Sequence, residues 1–367
     1  MNNFCSGVNA GLFVSVNGGI KVCCAGSYDL GSIRDKTVDS IFNDKKFIQL
    51  QKDNSSNSPT EYCANCNTIE SQAPGTTQKT AFNTQYPAQT TRELKLLDIR
   101  WSNVCNLSCR YCNIDDSSEW RRLHNLPVET VNKDYTESLF NLIEQNVNSI
   151  DSVYLLGGEP LLQKHNERLL NILNKNVKID ILTNGSVKLE NNRIYNLLKK
   201  FPRVYWNLSF DTVGNRFEYV RQGASWTLLD KNIDVMLNDF GPNHVTFHPV
   251  YSLWNALNLE EFYAYAHIKG NRLVNWQMAL PKVDTVEFST DSFTVPGHNQ
   301  KVIERAVAEI DKLDVPVLQS IKQTLLSSAA VENKSADFLD WTNKMENFMP
   351  PAYSFKELWP ELNTLLQ

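Results

Sequence analysis

Three closely spaced cysteines are the most chemically informative residues of this 367-residue chain. Cys105, Cys109 and Cys112 form a C-x3-C-x2-C loop that directly follows a predicted strand. Three thiolates on one short loop can bind three corners of a [4Fe–4S] cluster and leave the fourth iron open for a small molecule. The alternative is a zinc site, which usually requires a fourth cysteine or histidine close by. The nearest histidine, His124, lies 12 residues beyond the loop, so the spacing favours the cluster.

The other five cysteines all lie within the first 66 residues, as Cys5, Cys23, Cys24, Cys63 and Cys66. Secreted disulfide scaffolds spread their bridges through a small domain, and the start of this chain lacks the basic and apolar stretches of a signal peptide. Clustered cysteines without an export signal indicate metal binding. The sequence therefore predicts a second metal site near the N-terminus of a cytoplasmic protein.

The composition excludes several classes of protein. Hydrophobic residues make up 42% and charged residues 21% of the chain, as is usual for a globular protein. No apolar run approaches the length of a membrane helix. The net charge of −5 gives no sign of a nucleic-acid-binding surface. We therefore expect neither a membrane nor a nucleic acid as a partner.

Strands and helices alternate through the middle of the chain, which predicts a parallel sheet with helical crossovers. The predicted strands cover 94–101, 153–157, 178–183, 204–210, 244–250 and 273–280, and the predicted helices lie near 133–147, 165–175, 189–200, 226–238 and 258–268. Six strands suit either an open doubly wound sheet or a partial barrel. The flanking parts are predicted as a compact hairpin-and-helix unit at 1–70, a linker at 71–91 and a mostly helical region at 297–367.

A second motif narrows this choice. The segment Leu155–Pro160 reads Leu-Leu-Gly-Gly-Glu-Pro and ends the second strand, and Tyr111 precedes the last cysteine of the loop. With these motifs the sequence resembles the radical S-adenosylmethionine (SAM) superfamily. The resemblance implies a partial (βα)6 TIM-like barrel at 92–285, a C-terminal extension at 286–367, and SAM bound to the open iron. The residues that it assigns to SAM binding are Tyr111, Gly157, Gly158, Glu159, Pro160, Asn184, Ser209, Asp211 and Arg221.

The N-terminal cysteines resemble the SPASM/Twitch auxiliary-cluster module, which combines a G-x4-C hairpin with a later C-x2-C. Gly18 to Cys23 has the first spacing, and Cys63 to Cys66 has the second. The resemblance implies a second [4Fe–4S] cluster held by four cysteines, namely Cys5, Cys23, Cys63 and Cys66, with Cys24 as the alternate to Cys23. The module usually follows the barrel, whereas here it precedes it. The cysteines are too few for two auxiliary clusters, which favours the Twitch form, and a structural zinc ribbon remains the alternative.

Several predicted strands carry one polar and one apolar face. Because side chains alternate along a strand and helices cover the outside of such a sheet, the polar face is predicted to meet a polar ligand. This register selects Asn207, His248 and Gln277 as residues facing the substrate. A one-residue bulge would reverse the faces of a strand.

The resemblance implies an enzyme that reductively cleaves SAM to a 5′-deoxyadenosyl radical and abstracts a hydrogen atom from its substrate. We expect oxidation or cross-linking of a peptide or protein side chain. One alternative is a dehydrogenase or rearrangement enzyme for a small polar molecule such as a sugar, aminocyclitol or nucleotide. Another is a non-enzymatic iron–sulfur or zinc protein for electron transfer. The expected electron donor is a flavodoxin- or ferredoxin-like protein.

Overall fold

A computed structural model describes residues 3–72, 75, 77–87, 89–128, 133–271, 273–278, 283–284, 289–290, 293–327 and 333–367. The chain divides into two compact units. The first unit comprises Met1–Asn103, Val128–Ile181 and Arg193–Val204, and the second comprises Val104–Pro127, Leu182–Asn192 and Tyr205–Gln367. Domain boundaries were predicted at residues 70, 91 and 285 from sequence motifs and composition. Compact units need not coincide with such domains, so these boundaries remain a prediction.

The strands, in chain order, are β1 (Gly11–Val14), β2 (Gly19–Lys21), β3 (Gly31–Ser32), β4 (Leu96–Ile99), β5 (Ser108–Cys109), β6 (Ser152–Leu155), β7 (Lys178–Thr183), β8 (Val204–Leu208), β9 (Arg221–Gln222), β10 (Val245–Phe247), β11 (Val250–Tyr251), β12 (Gln277–Met278), β13 (Val283–Asp284) and β14 (Ser289–Thr290). The last two residues of the predicted strand at 273–280 lie outside the described residues.

The helices are α1 (Gly7–Ala10), α2 (Val38–Phe42), α3 (Lys45–Ser55), α4 (Ala64–Gln72), α5 (Gln78–Gln85), α6 (Ser118–Leu123), α7 (Lys133–Gln145), α8 (Lys164–Ile172), α9 (Arg193–Leu198), α10 (Gly214–Val220), α11 (Trp226–Phe240), α12 (Leu259–Ile268), α13 (Gln300–Asp311), α14 (Pro316–Ser327), α15 (Ser335–Phe348), α16 (Phe355–Leu358) and α17 (Pro360–Leu366). These elements confirm the predicted α/β class and the helical C-terminal region. None of the described helices combines the length and hydropathy needed to cross a bilayer.

The predicted N-terminal hairpin is confirmed. β1 and β2 pair antiparallel, with Phe13 opposite Lys21, and Gly18 in the turn has a φ of +85°, which favours glycine. β1 also pairs with β4 in parallel, from Gly11 opposite Leu96 to Val14 opposite Ile99. The N-terminal region therefore extends the sheet that the first strand of the central βα series begins, a pairing that the sequence did not predict.

The central strands of the first unit form the predicted parallel sheet. β4 pairs with β6, and β6 pairs with β7. One face of these strands is apolar and buried, through Leu97, Ile99, Val153, Leu155, Ile179 and Ile181. The opposite face carries Phe13, Asp98, Tyr154 and Asp180 in register across four strands. The hydrophobic face anchors the sheet, and the second face is available for polar groups.

In the second unit, β8 and β10 pair in parallel, with Trp206 opposite Val245. Phe210 and Phe247 pack against Phe262 and Tyr265 of α12, so the apolar face of these strands meets the helices as predicted. Asn207 and Thr246 lie opposite each other and belong to the other face. β10 ends at Phe247, and pairing resumes only at β11, so strand alternation does not by itself fix the direction of His248.

Residues 78–85 of the predicted linker form α5. Its Phe82 is buried, and the Asn83 side chain accepts a hydrogen bond from the Ser6 N–H at 2.7 Å and donates one to the Phe4 carbonyl at 2.9 Å. Because α5 holds the first residues of the chain, it is an integral part of the N-terminal region.

Candidate functional site

The cysteine loop of the second unit is held by hydrogen bonds from the start of α6. The Ser118 hydroxyl bonds both the N–H and the carbonyl of Cys105, each at 3.0 Å. The Ser117 hydroxyl donates to the Leu107 carbonyl at 2.6 Å, and the Trp120 indole N–H donates to the Cys109 carbonyl at 2.9 Å. The backbone of the loop is therefore positioned by the protein itself.

The three thiols of the loop are neighbours. Burial raises the pKa of Cys112 well above its ordinary value, and the nearby Cys109 and Cys105 raise it further. Burial also raises the pKa of Cys109, although Arg221 opposes this effect. Thiols of this kind become thiolates when a metal binds. Within the described part of the chain, no three His, Cys, Asp or Glu side chains converge as the ligands of a single ion would. A cubane cluster takes each cysteine on a different iron, and three neighbouring thiols on one loop are the donors that it requires.

Three predicted SAM residues, Tyr111, Asp211 and Arg221, form one buried cluster centred on Asp211. The Tyr111 hydroxyl donates to Asp211 Oδ2 at 2.7 Å, and Arg221 reaches the same oxygen through Nε at 3.1 Å and Nη2 at 3.0 Å. The Val250 N–H donates to Asp211 Oδ1 at 2.9 Å. Burial lowers the pKa of Arg221, but Asp211 outweighs it and holds that pKa above its usual range. The Arg221 guanidinium is thus already paired with a carboxylate.

Asn184 lies beside a predicted cluster ligand. Its Nδ2 is 3.8 Å from Cys105 Sγ and donates to Asn106 Oδ1 at 2.9 Å, while its Oδ1 accepts from the Ser186 N–H at 2.8 Å. The Ser209 N–H donates to the Thr183 carbonyl at 2.9 Å. The end of β7 therefore brings Asn184 to the cysteine loop, and Ser209 is bonded to the neighbouring Thr183; a SAM contact by either residue remains a prediction.

The Gly-Gly-Glu-Pro segment belongs to the first unit. Gly157 and Gly158 have φ values of +82° and +43°, and a Cβ at Gly157 would lie 2.9 Å from Arg100 Cβ, so the backbone requires glycine there. Glu159 is fully buried, and its Oε1 accepts from the Leu161 N–H at 3.0 Å. That carboxylate caps the 3-10 turn Pro160–Leu162. A SAM contact by Gly157–Pro160 remains a prediction.

Four of the N-terminal cysteines influence one another. Burial raises the pKa of Cys5 to about 12, and Cys63 and Cys66 add to the effect. Burial raises the pKa of Cys23 and of Cys63 to about 12 as well, with Cys5, Cys24 and Cys66 also acting on Cys23. Cys24 is the exposed cysteine of the group, and Asp98 raises its pKa. Cys5, Cys23, Cys63 and Cys66 are thus close enough to influence one another, and their role as ligands remains a prediction.

Two buried side chains tie the segments of this N-terminal set together. The Tyr62 hydroxyl accepts from the Val22 N–H at 2.9 Å, which links the C-x2-C segment to the hairpin. Asn54 on α3 accepts from the Cys5 N–H at 2.8 Å and donates to the Cys5 carbonyl at 3.2 Å. The positions of Cys5 and Cys23 are therefore fixed by polar contacts of residues that are not themselves ligands.

The predicted substrate-facing residues are placed less completely. Asn207 is half-buried on β8. His248 is buried, and its ring Nδ1 lies 3.3 Å from Asn275 Nδ2. Its backbone N–H donates to the Leu208 carbonyl at 2.8 Å. Gln277 lies on β12, opposite Val250. A contact of these residues with substrate remains a proposal.

Asp98 is a residue of interest that the sequence analysis missed. It is 4% exposed, and its nearest charged partner is Arg100, with Nε 3.7 Å from Asp98 Oδ1. Burial raises its pKa to about 6 despite this arginine. A charged residue in the middle of an otherwise apolar parallel strand was the available signal, because such a side chain is costly unless it faces polar groups.

The raised pKa of Asp98 predicts a pH dependence of stability. Its pKa is about 6 in the folded protein against an ordinary value of 3.8, so the folded state binds this proton more tightly than the unfolded state. The contribution of Asp98 to the free energy of unfolding therefore falls as pH rises through this range. Asp98→Asn removes the cost of ionising this buried carboxyl group. The free energy of unfolding of the variant, relative to that of wild type, should therefore rise between pH 4 and pH 8, by at most about 3 kcal/mol. Anaerobic denaturant titrations at several pH values measure both free energies of unfolding. A difference between variant and wild type that is the same at every pH would contradict the prediction.

Two family profiles match the chain. The profile of the radical SAM superfamily matches residues 99–266, and that of SPASM, an iron–sulfur cluster-binding domain, matches residues 5–67. The chain therefore carries a radical SAM domain at residues 99–266 and a SPASM domain at residues 5–67, as the resemblance implied. As predicted, the radical SAM domain implies a SAM-binding [4Fe–4S] cluster, and the SPASM domain implies auxiliary iron–sulfur binding. The radical SAM match supports an enzyme over a non-enzymatic electron carrier, and the SPASM match supports an iron–sulfur cluster over a zinc ribbon at the N-terminal cysteines.

Similar proteins cover only parts of this radical SAM chain. The 7-carboxy-7-deazaguanine synthase of Clostridium acetobutylicum is 36% identical over 89 residues, which are 24% of this chain and 36% of that protein. The radical SAM cyclopropyl synthase TigE of Paramaledivibacter caminithermalis is 29% identical over 180 residues, 45% of this chain and 37% of that protein. The chain thus spans less than two fifths of the length of these relatives.

Among solved structures, native anSMEcpe with bound AdoMet is similar at a TM-score of 0.46 and 16% identity. The similarity covers 74% of this radical SAM chain and 82% of that protein.

Proposed function

We propose that this radical SAM enzyme oxidises or cross-links a side chain of a peptide or protein. The observation that carries the proposal is the N-terminal set of four mutually interacting cysteines, in a region whose strand β1 pairs directly with β4. An auxiliary cluster so placed provides a second electron carrier on the same sheet as the first central strand. Relatives with such modules modify ribosomal peptides or protein side chains, which is the resemblance on which the substrate class rests.

The residues of the chain divide the work between the two sites. Cys105, Cys109 and Cys112 hold the SAM-binding cluster, which with SAM supplies a 5′-deoxyadenosyl radical for hydrogen abstraction. Tyr111, through its bond to Asp211, keeps the last part of the loop against the second unit's buried ion pair. The N-terminal cysteines would hold an auxiliary cluster able to take up the second electron of the substrate oxidation. A flavodoxin- or ferredoxin-like protein is the proposed source of the first electron.

Anaerobic reconstitution tests the proposal. The protein should bind about eight iron and eight sulfide per chain, because four cysteines serve one cluster and three the other. With SAM and dithionite it should release 5′-deoxyadenosine. A peptide encoded beside the gene should stimulate this release and gain the mass change of an oxidation or cross-link. Release that no peptide changes would contradict the substrate class, and no release from a protein with eight iron would contradict the reaction.

The second candidate function is a reaction on a small polar molecule. It is favoured by the polar strand face with Asn207 and Thr246 and by the similarity to an enzyme whose name refers to a deazaguanine. The same assay separates the two, because a small polar substrate would stimulate 5′-deoxyadenosine release when peptides do not.

Serine substitutions distinguish the two adjacent cysteines of the hairpin. Cys23→Ser should lower the iron content from about eight to about four per chain, because Cys23 lies with Cys5 and Cys66. Cys24→Ser is the matched control, since Cys24 is exposed whereas Cys23 is partly buried, and it should keep all eight. Iron analysis after anaerobic reconstitution reads both. The opposite pattern would make Cys24 the ligand.

A further inference from the structure

Arg110 lies between two residues of the cysteine loop but faces away from them. The chain turns here, because the Cys112 N–H donates to the Cys109 carbonyl at 3.0 Å. Tyr111 contacts Asp211, and Cys109 is influenced by Arg221, so both lie next to the buried ion pair. The Arg110 side chain is fully buried and makes its contacts with other residues.

The Arg110 guanidinium joins the loop to two other segments of the second unit. Its Nε donates to the Tyr219 carbonyl at 2.8 Å, and its Nη2 donates to the Met349 carbonyl at 3.2 Å. Its Cζ lies 4.1 Å from the centre of the Tyr219 ring. The Tyr219 hydroxyl in turn donates to Glu346 Oε1 at 3.0 Å. Arg110 thus connects the loop to α10 and to the end of α15.

The same end of α15 supports the loop from a second direction. Phe348 stacks with Trp120 at 6.3 Å and with His124 at 5.4 Å between ring centres. The Trp120 indole N–H bonds the Cys109 carbonyl. Residues 346–349 therefore contact both groups that hold the backbone around Cys109, one through Arg110 and one through Trp120.

A buried arginine is a costly way to fill space. Apolar residues of similar volume often replace buried charges without loss of stability, and burial here lowers the pKa of Arg110. A planar guanidinium, however, fixes the direction of two acceptors at once, and here those acceptors are main-chain carbonyls of separate segments. Its value therefore lies in geometry.

We propose that Arg110 is a positioning residue that fixes the Cys109–Cys112 segment onto the end of α15, which makes Glu346–Met349 part of the cluster site. The C-terminal region then controls how firmly the cluster is held and how it is presented to SAM. This inference depends on the cysteine loop and not on the identity of the substrate.

Conservative substitution of Arg110 tests the inference in the reconstituted enzyme. Arg110→Lys keeps the charge and loses the fork that bonds two carbonyls. The SAM-binding cluster is identified as the one whose electron paramagnetic resonance spectrum changes when SAM is added. In Arg110→Lys, an iron chelator should remove this cluster about tenfold faster than in wild type. The spectrum of its SAM-bound state should also differ from that of wild type. Tyr219→Phe keeps the ring and the carbonyl and removes only the bond to Glu346, so its effect should be about threefold.

Arg92→Lys is the matched control. Arg92 likewise donates to two main-chain carbonyls, those of Asn9 at 3.0 Å and Gly11 at 2.9 Å, but it lies in the first unit. It should leave the spectrum and the retention of the SAM-responsive cluster unchanged. Wild-type retention in Arg110→Lys, or equal loss in Arg92→Lys, would overturn the proposal. If Arg110→Lys does not fold, Tyr219→Phe decides, since wild-type retention there would also overturn it.

Discussion

Replacing Cys105, Cys109 and Cys112 together by Ala is expected to abolish 5′-deoxyadenosine formation completely. The change removes every protein ligand that the loop offers to the SAM-binding cluster. The N-terminal cysteines should be unaffected, because they belong to the first unit, whereas the loop belongs to the second. About four iron and four sulfide per chain should therefore remain, with the absorption spectrum of a single cluster.

Cys24→Ala serves as the control for loss of a cysteine as such, since Cys24 is the exposed cysteine and is not among the proposed ligands of either cluster. It should retain both clusters and the release of 5′-deoxyadenosine. A triple variant that binds no iron at all would mean that the two sites do not load independently. A triple variant that still cleaves SAM would remove the loop from the reaction.

Arg221→Ala is expected to destabilise the protein by about 3–5 kcal/mol, because it leaves one partner of a buried ion pair without its counter-charge. The Asp211 and Arg221 side chains are 1% and 6% exposed. After the change, Asp211 Oδ2 keeps only the Tyr111 hydroxyl, while Oδ1 keeps the Val250 N–H. Chemical denaturation of the anaerobic protein measures the loss.

A double-mutant cycle identifies the cause. Asp211→Asn combined with Arg221→Ala removes the uncompensated charge, so the double variant should be more stable than Arg221→Ala alone. If the two substitutions simply add, the ion pair does not account for the loss. Arg221→Lys, which preserves the charge, is the variant for a SAM titration. A ten- to hundred-fold weaker affinity would place Arg221 at SAM, and unchanged affinity would confine it to the pair with Asp211.

The sequence predicted the features that depend on nearby residues. Helix and strand positions follow from local periodicity. The cysteine loop and the Gly-Gly-Glu-Pro segment were recognisable because their spacing is itself local. The candidate ligands could therefore be named before the structure.

Features that depend on distant partners could not be predicted. The pairing of β1 with β4 joins residues separated by more than 80 positions, and neither short strand specifies the other. The commitment of Arg221 to Asp211 and of Glu159 to a capping bond likewise arises from tertiary placement. The direction of the His248 side chain was inferred from alternation along a strand. β10 ends at Phe247, and alternation of faces holds only within a continuous strand, so this inference does not extend to His248.

The pairing of β1 with β4 also bears on how the chain avoids aggregation. Without β1, the apolar strand β4 would present a row of unpaired N–H and carbonyl groups, which invites pairing with a second molecule. The sheet instead continues through β1 and β2 to β3, a strand of two residues, which is too short to template further growth. Since β1 leaves the ribosome long before β4, the hairpin is ready to cover that edge as soon as it forms. The N-terminal hairpin thus protects this edge of the sheet, and its removal is expected to lower the solubility of the protein.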